Sequence, residues 1–141
     1  MAADEPAWAP VWGVGNDICD IRRIEQAVAQ RGPRFAQKIL GPQEWRVYAQ
    51  RCAQHPRRGV AYLANRFSAK ESFAKAVGLG MRLPMTWRDC QILNLASGQP
   101  CVVLSGALQA WFDDQGLRAH VSVSDEGDYA TSVVVVYRNR P

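Results

Sequence analysis

The apolar period of this chain changes once, and that change limits the folds open to it. From residue 21 to 77 hydrophobic positions recur at helical spacing, and after "GLG" at 78–80 they alternate as in strands. Helices followed by strands indicate an α+β domain with a mainly antiparallel sheet. Before the helices, "VWGVGNDI" at 11–18 alternates and is interrupted by glycine, like a strand leading into a turn. Asp17 or Asp20 can then cap a helix whose stripe is Ile21, Ile24 and Val28, and "RGP" at 31–33 stops it. A short helical piece, "RFAQKIL", ends at Gly41, and Pro42 is placed to open "PQEWRVYAQRCAQ" as the next helix.

"HPRRG" at 55–59 reads as a basic linker, and Val60 to Val77 is the longest helical pattern, closed where glycine can take positive φ. The strands expected beyond it are "TWRDCQILNL", "PCVVLSG", "RAHVSVS" and "YATSVVVVYR", with a helix "GALQAWFDDQG" between the second and third. At 141 residues the chain can bury one core, so a loose segment over 1–10 and a single domain over 11–141 are expected. No apolar run approaches the ~18 residues of a membrane span, and "MAADEPAWAP" is no basic leader. Cys19, Cys52, Cys90 and Cys101 lack C-x-x-C spacing, which favours a reducing cytoplasm over a zinc site or a disulfide framework.

The long helix carries charge where it should pack. On a wheel of ~100° per residue, Leu63, Phe67, Ala74 and Val77 share a face that Tyr62, Ala69 and Phe73 widen. Arg66 and Lys70 fall inside that arc, with Glu71 at its edge and Lys75 one turn on. One reading has Arg66 and Lys70 laying their stems over apolar surface while Glu71 and Lys75 form an exposed i, i+4 pair. The other has this face bordering a polar cleft, where a carboxylate holds a metal ion and lysines hold phosphate. Magnesium suits such a cleft, and it needs a second acid. Asp17, after the glycines of "GVGND", is the leading candidate, with a helix N-cap as its alternative role.

These segments bring up a family. "GVGNDICDIRRI" at 13–24 and "NRFSAKESFAKAVGLG" at 65–80 resemble the bacterial holo-[acyl-carrier-protein] synthases, with "SGQPCVVL" similar to their G-x-P hairpin and "HVSVSDEGDYATSVVVV" at 120–136 to their closing strand pair. The resemblance implies a long helix packed on a curved, mainly antiparallel sheet. It also implies an enzyme that moves 4'-phosphopantetheine from coenzyme A to a serine of apo acyl carrier protein, releasing adenosine 3',5'-bisphosphate. It places that enzyme in fatty acid biosynthesis, with Mg2+ as the usual metal, a homotrimer as the usual assembly and sites at subunit interfaces.

By the same resemblance Asp17 and Glu71 are the metal acids and Lys75 touches the phosphates. Arg66, Lys70 and His120 fall at coenzyme-binding positions, Gly78 and Gly80 let backbone approach the nucleotide, and Arg23, with Arg22 beside it, docks the carrier's acidic helix. The base for the serine proton stays open among Asp125, where many members have histidine, Glu71, and a metal-bound water near Asp17. The strand face His120, Ser122, Ser124 fits a composite site, with Val121 and Val123 toward the core. The chemistry agrees independently: cleaving a pyrophosphate requires charge neutralisation and an in-line hydroxyl, which a cation and lysines supply. A nucleic-acid module is motivated by pI 9.1 and the arginine-rich first half, but without zinc spacing or an aromatic-basic motif, so no nucleic-acid or membrane partner is expected.

Overall fold

The computed structural model describes residues 10–139. The loose segment expected over 1–10 therefore lies, except for Pro10, outside the described residues. In chain order the elements are β1 (Val11–Asp20), α1 (Ile21–Arg31), α2 (Pro33–Ile39), α3 (Pro42–Gln54), α4 (Pro56–Val77), β2 (Cys90–Asn94), β3 (Pro100–Leu104), α5 (Gly106–Asp114), β4 (Leu117–Glu126) and β5 (Tyr129–Arg138). β1, β5 and β4 form one sheet in that order and β2 with β3 a second, and every pairing is antiparallel. This is the α+β class expected, with the long helix α4 packed on an antiparallel sheet.

α4 sits between two apolar cores. Its C-terminal half, with Phe73, Ala74 and Val77, packs with the strands and α5, and its N-terminal half, with Leu63 and Ala64, packs with α1, α2 and α3. The middle of the helix is therefore buried on more than one face, so a charge placed there is costly unless it is paired. Two glycines set its distance from β1. A Cβ on Gly13 would overlap the carbonyl oxygen of Ala76, and one on Gly15 that of Ser72. The helix backbone thus lies directly on the strand, which only the missing side chains allow.

The expected linker at 55–59 is instead the first turn of α4. His55 is extended, its Nδ1 accepts from the backbone N–H of Arg57 at 3.0 Å, and Pro56 follows at the first helical position, the same device Pro42 provides for α3. Asp20 rather than Asp17 caps α1, accepting from the Arg22 N–H at 3.0 Å, which leaves Asp17 inside β1. The strand expected over 86–95 is confined to β2, because residues 87–89 form a turn. α4 ends at Gly78, whose φ of 84° only glycine adopts freely, and the Gly80 N–H reaches back to the Ala74 carbonyl at 3.1 Å.

Candidate active site

Gly15, Asp17 and Cys19 share the face of β1 turned to α4, because strand side chains alternate. The close seating of the helix then brings Glu71 and Lys75 to Asp17. Lys75 donates to the Asn16 carbonyl at 2.9 Å and lies 3.5 Å from the Asp17 carboxylate. The expected Glu71–Lys75 partnership is thus replaced by a bridge from Lys75 to β1. Beneath Asp17 a buried hydroxyl cluster fixes the register between helix and sheet. Ser132, paired with Asp17 across β5, lies 2.7 Å from the hydroxyls of both Ser68 and Ser72, and Ser68 donates to the Asp17 carbonyl at 3.5 Å.

Asp17 and Glu71 line one cleft of about 530 Å³. Asp20 adds a third acid, Arg23, Arg31 and Lys38 bring positive charge, and Phe35, Ile39, Phe67 and Trp87 supply apolar wall. Burial raises the Glu71 pKa, the charge on Asp17 raises it further, and Lys75 opposes both. Burial likewise pushes the Cys19 thiol, also in the cleft, up to about 11, so it is no nucleophile at neutral pH. Among the described residues no group of three or more His, Cys, Asp or Glu could hold a metal. A carboxylate pair fits magnesium nonetheless, since that ion keeps much of its shell as water and phosphate oxygens, and a cation relieves the like-charge repulsion between Asp17 and Glu71.

The two arginines on α1 differ. The Arg22 guanidinium donates to Asp20 at 2.9 and 2.8 Å and stands 3.7 Å from Asp128, and the bonds to Asp20 lower that carboxylate's pKa. Arg23 is exposed and borders the cleft. Arg22 therefore belongs to the local structure of the cap, while Arg23 is presented outward.

Arg66 lies elsewhere. Five positions separate it from Glu71, which turns it about 140° round the helix. It lines a second cleft of about 320 Å³ with Arg51, Arg58, Asn65, Asn94 and Asp125. Only 5% exposed, Arg66 donates from Nη2 to Asn94 at 2.6 Å and stacks over Tyr62 at 4.6 Å. Among the described residues its Nε and Nη1 have no hydrogen-bond partner. Buried donors of a fixed cation left unpaired beside a cavity suit an anion. Asp125 accepts from Asn65 at 3.4 Å on the other side of that cleft.

His120 is in neither cleft. It stands on the outer face of the sheet, stacked on Tyr137 with ring centroids 5.3 Å apart. Gly78 and Gly80 lie at the end of α4, both with positive φ, and a Cβ added to either would meet nothing within 4 Å, so open space adjoins their backbone. Lys70 corrects the sequence reading. It has no exposure and spends its three N–H donors on Glu44, Ile39 and Trp87, so it is neither a snorkelling side chain nor available to coenzyme. Sequence reasoning also missed Asn94 and Trp87, whose roles come from residues distant in the chain. Trp87 stacks on Phe67 at 5.0 Å, and only an aromatic stranded in a turn-rich segment hinted at it.

Residues 13–134 match the 4'-phosphopantetheinyl transferase superfamily. The holo-[acyl-carrier-protein] synthase of Methylibium petroleiphilum is 62% identical over 126 residues, covering 89% of this chain and 96% of its own. That of an Acidovorax species is 56% identical over 129 residues, covering 92% and 99%. Among solved structures, the holo-[acyl-carrier-protein] synthase of Neisseria meningitidis superposes with a TM-score of 0.83 at 40% identity, over 91% of this chain and 99% of that one. The Bacillus anthracis enzyme, in complex with CoA (3',5'-ADP), gives 0.78 at 27% identity, over 93% and 100%.

Proposed function

We infer the function from descent and geometry together: this chain belongs to the 4'-phosphopantetheinyl transferase superfamily and, within it, to the holo-[acyl-carrier-protein] synthases. It is an enzyme that transfers phosphopantetheine to apo acyl carrier protein. We propose that coenzyme A is the donor, that adenosine 3',5'-bisphosphate leaves, and that one transferase domain spans residues 11–141. Coenzyme A is named in complexes of related enzymes from Bacillus anthracis and Helicobacter pylori.

The observation that carries the mechanism is the meeting of Asp17, Glu71 and Lys75 where α4 crosses β1. Asp17 and Glu71 would hold Mg2+, which when bound neutralises diphosphate charge. Lys75 stands beside them to take a phosphate oxygen, exchanging its bridge to Asp17 for a stronger anion. Arg23 at the cleft edge receives the acidic face of the carrier and so brings the serine hydroxyl toward the pair. The unpaired donors of buried Arg66 hold a further phosphate of the coenzyme, and the open backbone at Gly78 and Gly80, at the far end of α4, leaves room for the nucleotide there.

One copy of the chain turns Arg66 and Glu71 to different faces of α4, so a single coenzyme meets both groups only across a subunit interface. A homotrimer provides such an interface. Its supporting feature is the outer sheet face, where Val14 is 61% and Ile18 67% exposed, near His120. Asp125 can accept the serine proton only where another copy brings its cleft to the pair, and Glu71, in the cleft of the same copy, is the alternative. Among the described residues no helix is long and apolar enough to cross a membrane, in keeping with a proposed cytoplasmic setting. The test is to incubate the protein with apo carrier, coenzyme A and magnesium and to weigh the carrier. A gain of one phosphopantetheine is expected, and an unchanged mass would overturn the reading.

A further inference from the structure

Lys70 and Glu44 form an ion pair of 2.6 Å in which neither side chain has any exposure. Such a pair is weak grounds for stability, because desolvation cancels much of the attraction, and burial indeed lowers the Lys70 pKa while Glu44 opposes it. Its connections suggest what else it does. Besides Glu44, the Lys70 ammonium donates to the carbonyl of Ile39 at 2.6 Å and to that of Trp87 at 2.8 Å. Ile39 ends α2 and Trp87 lies in the turn before β2, and both line the cleft that holds Asp17 and Glu71.

Glu44 completes the junction. Its Oε1 accepts from the Gly41 N–H at 2.9 Å and its Oε2 from the Ile92 N–H at 2.9 Å. Three stretches remote in sequence, 39–44, Lys70 and 87–92, thus converge on one ammonium and one carboxylate. The residue after Lys70 is Glu71, which lines the cleft, so the same turn of α4 presents the acid and anchors two walls around it.

We propose that Lys70, held by Glu44, is a positioning residue for the acceptor side of the cleft, setting the separation of the Ile39 and Trp87 walls from the Glu71 carboxylate through their backbone carbonyls. The proposal rests on the transferase reading above and adds the selection of the carrier's approach to it. Trp87 carries its effect outward through the stack on Phe67, and Lys38, adjacent to Ile39, moves its charge with that wall. A loosened wall spoils the placement of the carrier more than the capture of coenzyme, whose phosphates meet Lys75 and Arg66.

The experiment compares wild type, Lys70→Met and the double variant Lys70→Met/Glu44→Met by melting temperature and by KM and kcat for apo carrier and for coenzyme A. Lys70→Met leaves Glu44 buried and unpaired, whereas the double variant leaves no buried charge and is expected to fold. Both variants should raise KM for the carrier about tenfold, a cost typical of a misplaced contact, while KM for coenzyme A stays within about twofold. Recovery of wild-type carrier kinetics by the double variant would reduce the pair to a structural element and overturn the proposal. Failure of the double variant to fold would overturn it equally, since the pair would then serve the fold alone. Absence of transfer by the wild type would instead refute the transferase reading.

Discussion

Gly15 lies against the carbonyl oxygen of Ser72 so closely that a Cβ there would overlap it. This contact sets the height of α4 above β1, and with it the approach of Glu71 and Lys75 to Asp17. Gly15→Ala should therefore cost about 1–3 kcal/mol by overpacking against backbone that cannot yield like a side chain. Urea unfolding would report the loss, and transfer activity per folded molecule should fall as well. Gly98, with φ of 91° in the β2–β3 hairpin and nothing near its Cβ position, is the control: Gly98→Ala should lose stability without losing activity.

The raised pKa of Glu71 makes stability depend on pH with a definite sign. Between the ordinary glutamate value of about 4.3 and its higher folded value, the native state binds more protons than the unfolded chain, so stability falls as pH rises through that interval. In magnesium-free buffer Glu71→Gln should melt above wild type at pH 7 and alongside it near pH 4. Magnesium should raise the wild-type melting temperature at pH 7 and leave the variant unmoved. Identical melting of the two proteins at both pH values would contradict the assignment of desolvation and Asp17 as causes.

Arg22 and Arg23 are neighbours with separable roles. Arg23→Glu should weaken carrier association by about 1–3 kcal/mol, mostly in the on-rate and less at high salt, with coenzyme affinity unchanged. Arg22→Ala removes exposed bonds to Asp20 and Asp128 and should leave both stability and carrier kinetics little changed. Stopped-flow association at two ionic strengths separates them. Equal effects would mean that Arg22 leaves its partners to meet the carrier.

Arg66 and Glu71 face apart on one helix, so a shared site should complement between copies. Glu71→Gln and Arg66→Gln, each inactive alone, should regain part of the wild-type rate once their subunits exchange. Mixed assemblies verified by native mass spectrometry but without activity would place both residues' work within one chain.

Local pattern makes much of this fold legible. α3 and β5 begin and end where proline placement and alternation put them, and the change of period after Gly78 separates helices from strands. The start of α4 is harder to see although His55-Pro56 repeats the logic of Gly41-Pro42, because Arg57, Arg58 and Gly59 have the composition of a linker. Lys70 is opaque to pattern altogether: its partner is 26 residues earlier, its other acceptors are carbonyls of two more segments, and helical period is silent about all three. The Asn94–Arg66 bond is hidden for the same reason. The meeting of Asp17 with the Glu71 turn is legible in part, since glycines two and four residues before Asp17 permit a helix to lie on the strand. Which helix does so is suggested by resemblance and not by spacing.

The carboxylate pair is the centre of the proposed mechanism, and mass spectrometry of the carrier after incubation with Asp17→Asn, Glu71→Gln and wild type, across a magnesium titration, tests it. Each substitution keeps shape and removes one charge, and circular dichroism verifies that the variants are folded. The predicted result is complete conversion by wild type and loss of at least about a hundredfold in rate for either variant, on the scale of removing one charge-stabilising group. Conversion by either folded variant at the wild-type rate and the wild-type magnesium requirement would contradict it.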